Sequence, residues 1–456
     1  MAMVKQPSVS ANFLKKPYRL PMTQQKGKLW MSNGWLLFGL FFLMAPFITL
    51  AVKGVVILLA LAGIIGLTLT RSWNPQRWLP PFAPFSLGYL FLAFALISIS
   101  WAPNVTGSLT SFAKLCASLI FTFLALHAVT QLTASPRNET YRNILSLTLI
   151  ITIWINLLIA PWPYYGPSLD AFLTAQTGQN LASLTRYDFE LVRQVNRALT
   201  VLAILLFLVG PYEMAKRPKL FILTCLGFLI ATTFSDSQTA VLAFLLGGLG
   251  FVVASISLRF AQNLILACLA IGLVVAPLLF GTLDSTRTIT NFVPAQVDRL
   301  ASVDIRLHIY RVFGQESLDT PYFGHGYYSS KDYQPTKIGR YLDEMEAAGG
   351  NADHIASSRQ YGTMAAHPHQ LFLQVVFEFG FLGALLFWFA CAQTITAISR
   401  RISPAAQAWF LASLGPVFAQ TLFGYSLWQS WLLAAFGLCV LLGNIFWVNR
   451  DPEPSA

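Results

Sequence analysis

Apolar residues run along this chain in blocks of about twenty, separated by short polar or basic segments. Blocks fall near 35–51, 54–70, 82–101, 110–132, 143–162, 197–212, 219–234, 239–257, 261–281, 371–397, 405–424 and 428–448. A run of that length with few charges predicts a helix that crosses a bilayer, because only a helix satisfies its own backbone in lipid. The pattern therefore predicts an all-α polytopic membrane protein of about twelve transmembrane helices. The first two form a tight pair, since only Ala51 to Gly54 joins them.

Basic residues then orient the bundle. With the N-terminus inside, the tail supplies Lys5, Lys15, Lys16, Arg19, Lys26 and Lys28. The inner loops and the C-terminal tail add Arg71, Arg77, Arg137, Arg142, Lys216, Arg217, Lys219, Arg259, Arg400, Arg401 and Arg450. Only Glu139, Glu213, Asp451 and Glu453 oppose these seventeen. Every inner segment is basic, and a wrong helix count would scramble that alternation. Both termini are expected inside, with no cleaved leader.

The expected organisation is a basic tail (1–33), nine helices (34–281) with an outer loop at 163–196, a large outer loop (282–370), three helices (371–448) and a short tail (449–456). The large loop has 89 residues and holds five of the six histidines. Loops of that length are usually functional or disordered. Its aromatics, the amphipathic stretch Val303–Leu318 and a Gly-rich turn predict partial, helical folding.

Composition agrees. The chain is 55% hydrophobic and 11% charged over 456 residues, which describes one membrane bundle rather than several soluble domains. The net charge of +11 is mostly a topology signal, so membrane lipids are expected partners and nucleic acid is not. Cys116, Cys225, Cys268, Cys391 and Cys439 all lie in apolar runs, so neither a disulfide framework nor a zinc cluster is expected.

Candidate chemistry collects at the outer rim. Arg193 and Arg197 are four residues apart at the start of the sixth span, so they share a helix face. A helix beginning there also turns its positive dipole end outward. Two guanidiniums on a helix N-terminus make an anion site that suits a lipid pyrophosphate headgroup. Arg186 joins that face if the helix extends. Snorkelling to lipid phosphates is the plainer reading.

His367-Pro-His369-Gln370 precedes the tenth span, and Pro368 disfavours helix at His367. His369 then falls near the helix start, where a neutral imidazole can accept a proton from a sugar hydroxyl. A polar histidine at a helix cap is the alternative. His-x-His supplies only two metal ligands, and no metal is expected. Glu378 follows nine residues later, which on one continuous helix turns it away from His369 and roughly 13 Å along the axis. It reads as helix-orienting or as catalytic. Arg306, on a short helix before Pro321-Tyr-Phe-Gly324-His-Gly326, brings another cation to the rim or lies on a solvated face.

These motifs resemble the O-antigen ligase/polymerase superfamily of bacterial polysaccharide assembly, over roughly residues 140–440. The element His367-Pro-His369-Gln370-x-x-Leu373 leading to Glu378-x-Gly380-x-x-Gly383 is similar to that family's His-Asn-x-x-Leu and Glu-x-Gly signature, with Gln370 in place of Asn. Arg306-x-x-x-Tyr310 before Pro321-x-Phe-Gly324-x-Gly326 resembles a second pattern, and Asn196-Arg197 a third. Ser237-Gln238 resembles a Ser-Arg motif but lacks its charge.

The resemblance implies a GT-C-like fold in the bacterial inner membrane. It implies a metal-independent, inverting glycosyltransferase without cofactor, working at the periplasmic face on an undecaprenyl-pyrophosphate-linked glycan. The acceptor is lipid A–core for a ligase or a growing polysaccharide for a polymerase. Arg193 and Arg197, with Arg186 and Arg306, then hold the pyrophosphate, and His369 serves the acceptor hydroxyl. His367, Asn196 and Glu378 are the remaining candidate substrate contacts. A flippase for lipid-linked oligosaccharides is the alternative from another class. It predicts ionisable residues along the interior, where this chain has only His127 and Glu378 mid-span.

Overall fold

A computed structural model describes residues 54–70, 82–133, 138–159, 185–234, 237–282, 300–331, 333, 338–347, 355–356, 359, 368–423 and 425–447. Among these residues the chain is entirely helical, without strands. In order the helices are α1 (Gly54–Thr70), α2 (Phe82–Ser98), α3 (Val105–Thr133), α4 (Asn138–Ile159) and α5 (Thr185–Lys216). Then come α6 (Pro218–Phe234), α7 (Gln238–Ile256), α8 (Leu258–Gly281), α9 (Leu300–Asp319) and α10 (Ile338–Ala347). The chain closes with α11 (Leu371–Ser399), α12 (Pro404–Phe423) and α13 (Ser430–Trp447).

Each apolar block from the second onward coincides with one of these helices, and the first, 35–51, lies outside the described residues. Among the described residues, six helices are long and apolar enough to cross a membrane, and four more are shorter apolar helices. Ile57, Leu223, Ile230, Leu245, Leu249, Val252, Ile271 and Leu385 are more than half exposed. An outward skin of that kind suits lipid as the solvent. The protein is an all-helical, polytopic membrane protein.

Burial ranks the helices. The apolar window of α5 is 83% buried, against 22% for α7 and α8, so α5 is the central helix and those two are peripheral. Close packing rests on small residues, as expected where lipid gives no hydrophobic drive between helices. A Cβ on Gly415 of α12 would stand 2.5 Å from the backbone nitrogen of Gly247 on α7, so these two backbones touch.

Several basic residues assigned to the inner side gather at one end. Arg142 donates to the carbonyls of Ile445 and Phe446 (2.8 and 2.9 Å), where α13 runs out of intrahelical partners. Lys216 pairs with Glu139 at 2.8 Å. Arg217 grips the fully buried Glu213 through two nitrogens (3.1 and 2.7 Å), and Ser146 donates to the same carboxylate. The 320–331 segment packs at the opposite ends of α11 and α13 from Arg401 and Ile445.

Candidate active site

Helix α11 is broken at Gly380, whose φ of 64° and ψ of −175° no helix contains. Unbroken, the N–H groups of Phe381 and Leu382 would bond the carbonyls of Phe377 and Glu378. A turn of the large loop takes both pairs instead. His325 and Gly326 donate to the carbonyls of Phe377 and Glu378 (2.9 and 2.8 Å), and Phe381 and Leu382 donate to the carbonyls of Pro321 and Tyr322 (2.7 and 3.3 Å). Residues 321–326 thus wedge into the helix and leave none of these four groups unpaired. Irregular backbone inside a membrane protein needs that shielding.

Glycines make the wedge fit. Gly324 has φ 63°, and a Cβ there would lie 2.6 Å from the carbonyl carbon of Glu378 and the nitrogen of Gly380. The Gly324-His-Gly326 and Glu378-x-Gly380 elements are therefore two faces of one joint. Their spacing is explained by backbone contact alone.

Glu378 closes the joint from the side. Its carboxylate is fully buried and accepts four hydrogen bonds. Ser330 Oγ (2.6 Å) and Gln374 Nε2 (3.1 Å) reach one oxygen; the backbone N–H of Tyr328 (3.1 Å) and Trp428 Nε1 (2.6 Å) reach the other. Gln374 also donates to Ser426 Oγ (2.8 Å) and accepts from the N–H of Leu427 (3.1 Å). One carboxylate and one amide thus tie the loop, α11 and the α12–α13 turn together. Tyr327 is seated in the same knot, with Ser111 Oγ at 3.2 Å from its hydroxyl and Ser108 Oγ donating to its carbonyl. Burial raises the Tyr327 hydroxyl pKa well above the ordinary tyrosine value, so it stays protonated.

His369 lies immediately before α11 rather than on it, because Gln370 is the N-cap and accepts from the N–H of Leu373 at 2.5 Å. The separation from Glu378 expected for one continuous helix therefore does not apply to the histidine side chain. His369 has φ 54°, a left-handed conformation unusual for a residue with a Cβ. It is half-buried, and its carbonyl accepts a long bond from the Tyr310 hydroxyl of α9 (3.4 Å). Burial raises the Tyr310 pKa, against the opposing charge of Arg306 one turn earlier. Backbone strain held by a cap and a tertiary contact is a mark of a functional position.

His325 stacks on Phe377 (centroids 4.3 Å apart, planes 15°), with its Nδ1 at 3.2 Å from the Phe377 carbonyl and 3.1 Å from Thr320 Oγ1. Burial lowers its pKa below the ordinary histidine value, the Phe377 carbonyl opposing, so the ring is held neutral.

Arg197 stands in a different setting from the one its position predicts. Helix α5 starts at Thr185, three turns earlier, so Arg197 is beyond the reach of the helix dipole and Arg186 occupies the N-terminal turn. Arg186, Arg193 and Arg197 all lie on this one helix, with the Arg186 and Arg193 side chains outside the described residues. The Arg197 guanidinium instead lies over two rings, 5.3 Å from the Tyr425 centroid and 5.8 Å from that of Trp431. Asn196 is half-buried beside it, its carbonyl accepting from Thr200 Oγ1 at 3.1 Å.

Arg197 and the first half of α11 therefore meet the same turn, residues 425–428, from two sides. Tyr425 faces the arginine; Ser426 and Leu427 bind Gln374, five residues beyond His369. Sequence reasoning missed Tyr425, Trp428, Trp431 and Gln374. The aromatic spacing Tyr425-Ser-Leu-Trp428-Gln-Ser-Trp431 between two spans was the available signal. His367 lies outside the described residues.

Known proteins resemble this chain in the same region. A family model described as O-Antigen ligase matches residues 220–388, which takes in α6 to α9, the wedge and the broken part of α11. A Rickettsia conorii protein named "Putative polysaccharide ligase" is 23% identical over 369 residues, 80% of this chain and 80% of its own length. Proteins of the same description from Rickettsia prowazekii and Rickettsia typhi are each 25% identical over 365 residues, 77% of this chain and 78% of theirs. The match runs through both motif elements joined at Gly380, so over this region the chain is similar to O-antigen ligases and to proteins described as polysaccharide ligases.

Proposed function

We propose that this protein is a periplasmic-face glycosyltransferase of the bacterial inner membrane. It moves a glycan from undecaprenyl pyrophosphate to a sugar hydroxyl of an acceptor, lipid A–core, as an O-antigen ligase does. The bond from the anomeric carbon to the pyrophosphate oxygen breaks, and the acceptor oxygen forms the new bond with inversion. His369 takes the hydroxyl proton, and pyrophosphate leaves on its lipid with the bonding electrons. Arg197 and Arg193, with Arg186 and Arg306, hold the pyrophosphate and stabilise the charge it gains. The reaction as proposed calls for neither metal nor cofactor. His367 and Asn196 are assigned as further substrate contacts.

The observation that carries the reading is the strained His369, fixed by the Gln370 cap and Tyr310 while Arg197 meets the turn bonded to the same helix. Glu378 is assigned to the scaffold, since its lone pairs are occupied by four protein donors.

The test is transfer by purified protein in liposomes. A lipid-pyrophosphate glycan is offered either lipid A–core or a second lipid-linked repeat unit. Product with lipid A–core supports the ligase reading. Product with only the second repeat reassigns the protein as a polymerase. Movement of the lipid-linked glycan across the bilayer with no transfer would sink the enzyme and leave a flippase.

A further inference from the structure

Several interior side-chain amides among the described residues are hydrogen-bonded. Gln374 bonds Ser426, Glu378 and Leu427; Gln393 bonds Ser86 and Leu87; Gln262 bonds Thr396; Gln407 bonds the carbonyls of Ser399 and Ile402. Gln420 of α12 is 1% exposed, and neither its Nε2 nor its Oε1 has a partner among the described residues. A buried amide with both ends unpaired is rare in folded proteins, and its explanation is normally a strained site, a water or a bound group.

Its place in the bundle narrows the choice. Helices α5 and α12 run antiparallel, because Gly210 packs on the Trp409 ring at one level and Arg197 on the Tyr425 ring at the other. Gln420 is eleven residues beyond Trp409, about 20° past three full turns, so it shares the α5-facing side of α12. That step is roughly 16 Å along the axis, which brings Gln420 to within about one turn of the level of Arg197. The backbone carbonyl of Gln420 accepts from the N–H of Tyr425 (3.1 Å), the residue whose ring carries the arginine.

A phosphate oxygen only accepts and would satisfy half of this amide. Hydroxyl groups both donate and accept, so they can serve both its Nε2 and its Oε1. We infer that Gln420 binds hydroxyl groups of the first sugar on the lipid pyrophosphate, and so selects the glycan-bearing lipid over the bare one. The inference rests on Arg197 as the pyrophosphate site. A residue held unpaired for a ligand also lowers the stability of the free protein, so its removal has a distinctive signature.

The experiment measures binding of two probes to the full chain in nanodiscs: bare undecaprenyl pyrophosphate, and the same lipid carrying the cell's own glycan. Wild type is expected to bind the glycan-bearing lipid at least tenfold tighter. Gln420→Leu and the volume-matched Gln420→Met should bind both probes alike, at the bare-lipid affinity, with a melting temperature unchanged or raised. Variants that keep the tenfold preference overturn the inference, and so do variants that melt lower and lose both affinities together. Wild type that binds both probes equally overturns it too and leaves the pyrophosphate site standing. Wild type that binds neither probe overturns the Arg197 reading and this inference with it.

Discussion

The carbonyl of Tyr322 stands where a Cβ on Gly380 would have to go. The helix break is thus enforced twice, by the contact and by a φ/ψ pair open essentially only to glycine. Gly380→Ala should cost about 3 kcal/mol or more and yield protein that melts far lower in detergent or fails to accumulate. Gly248→Ala is the control, since nothing lies within 4 Å of its added Cβ, and it should melt as wild type does.

Trp428→Phe removes one of the four donors to Glu378 and should lower stability by about 1–2 kcal/mol. Glu378→Gln places an N–H₂ among groups that donate, and about 3 kcal/mol is expected. On the scaffold assignment, Trp428→Phe retains transfer at a permissive temperature. A variant that melts like wild type yet transfers nothing would move Glu378 into the chemistry.

His369 separates strain from function. Asparagine tolerates the left-handed backbone and lacks the imidazole base. His369→Asn should keep the wild-type melting temperature and lose about 10²-fold or more in turnover. His369→Gly should melt at the same temperature or higher, since it relieves the strain at φ 54°, and be equally inactive. Full turnover in either variant would remove His369 from the proposed site.

For Arg197 the rings matter as well as the charge. Arg197→Lys keeps the charge and loses the guanidinium that lies over the Tyr425 and Trp431 rings. Cation–π contacts of about 0.5–2 kcal/mol predict a KM for the lipid donor roughly 2- to 30-fold higher, with kcat less affected. Arg197→Ala should abolish transfer without loss of membrane insertion.

His325 links the wedge to pH. Its pKa is lower folded than unfolded, so the unfolded chain binds the proton first as pH falls. Stability is fully present above the ordinary histidine value of about 6.5 and declines below it until the folded pKa is reached. Melting temperatures from pH 7.5 to 5 should show this decline, and His325→Phe should flatten it. An unchanged slope in that variant would locate the dependence elsewhere.

The periodic features of the chain were legible without coordinates. Apart from α5, the apolar blocks matched α1 to α8 and α11 to α13 to within a few residues, because a spanning helix is a local object set by length and hydropathy. His369 was placed near a helix start by Pro368 alone, also a local effect. The register of the two motifs was visible as spacing but not as contact. That Gly324 packs on Gly380, and that the turn takes over the broken helix's hydrogen bonds, depends on residues more than fifty positions apart. No periodicity encodes such a pairing. The length of α5 was misread for a related reason: its first three turns are polar, and only the observed helix extends them to Thr185. The sequence by itself determined which segments seek lipid and which residue types lie at the rim. Tertiary structure decided what those residues meet there, because orienting Arg197 on Tyr425 and locking Glu378 among four donors are contacts between distant helices, made only when the bundle closes.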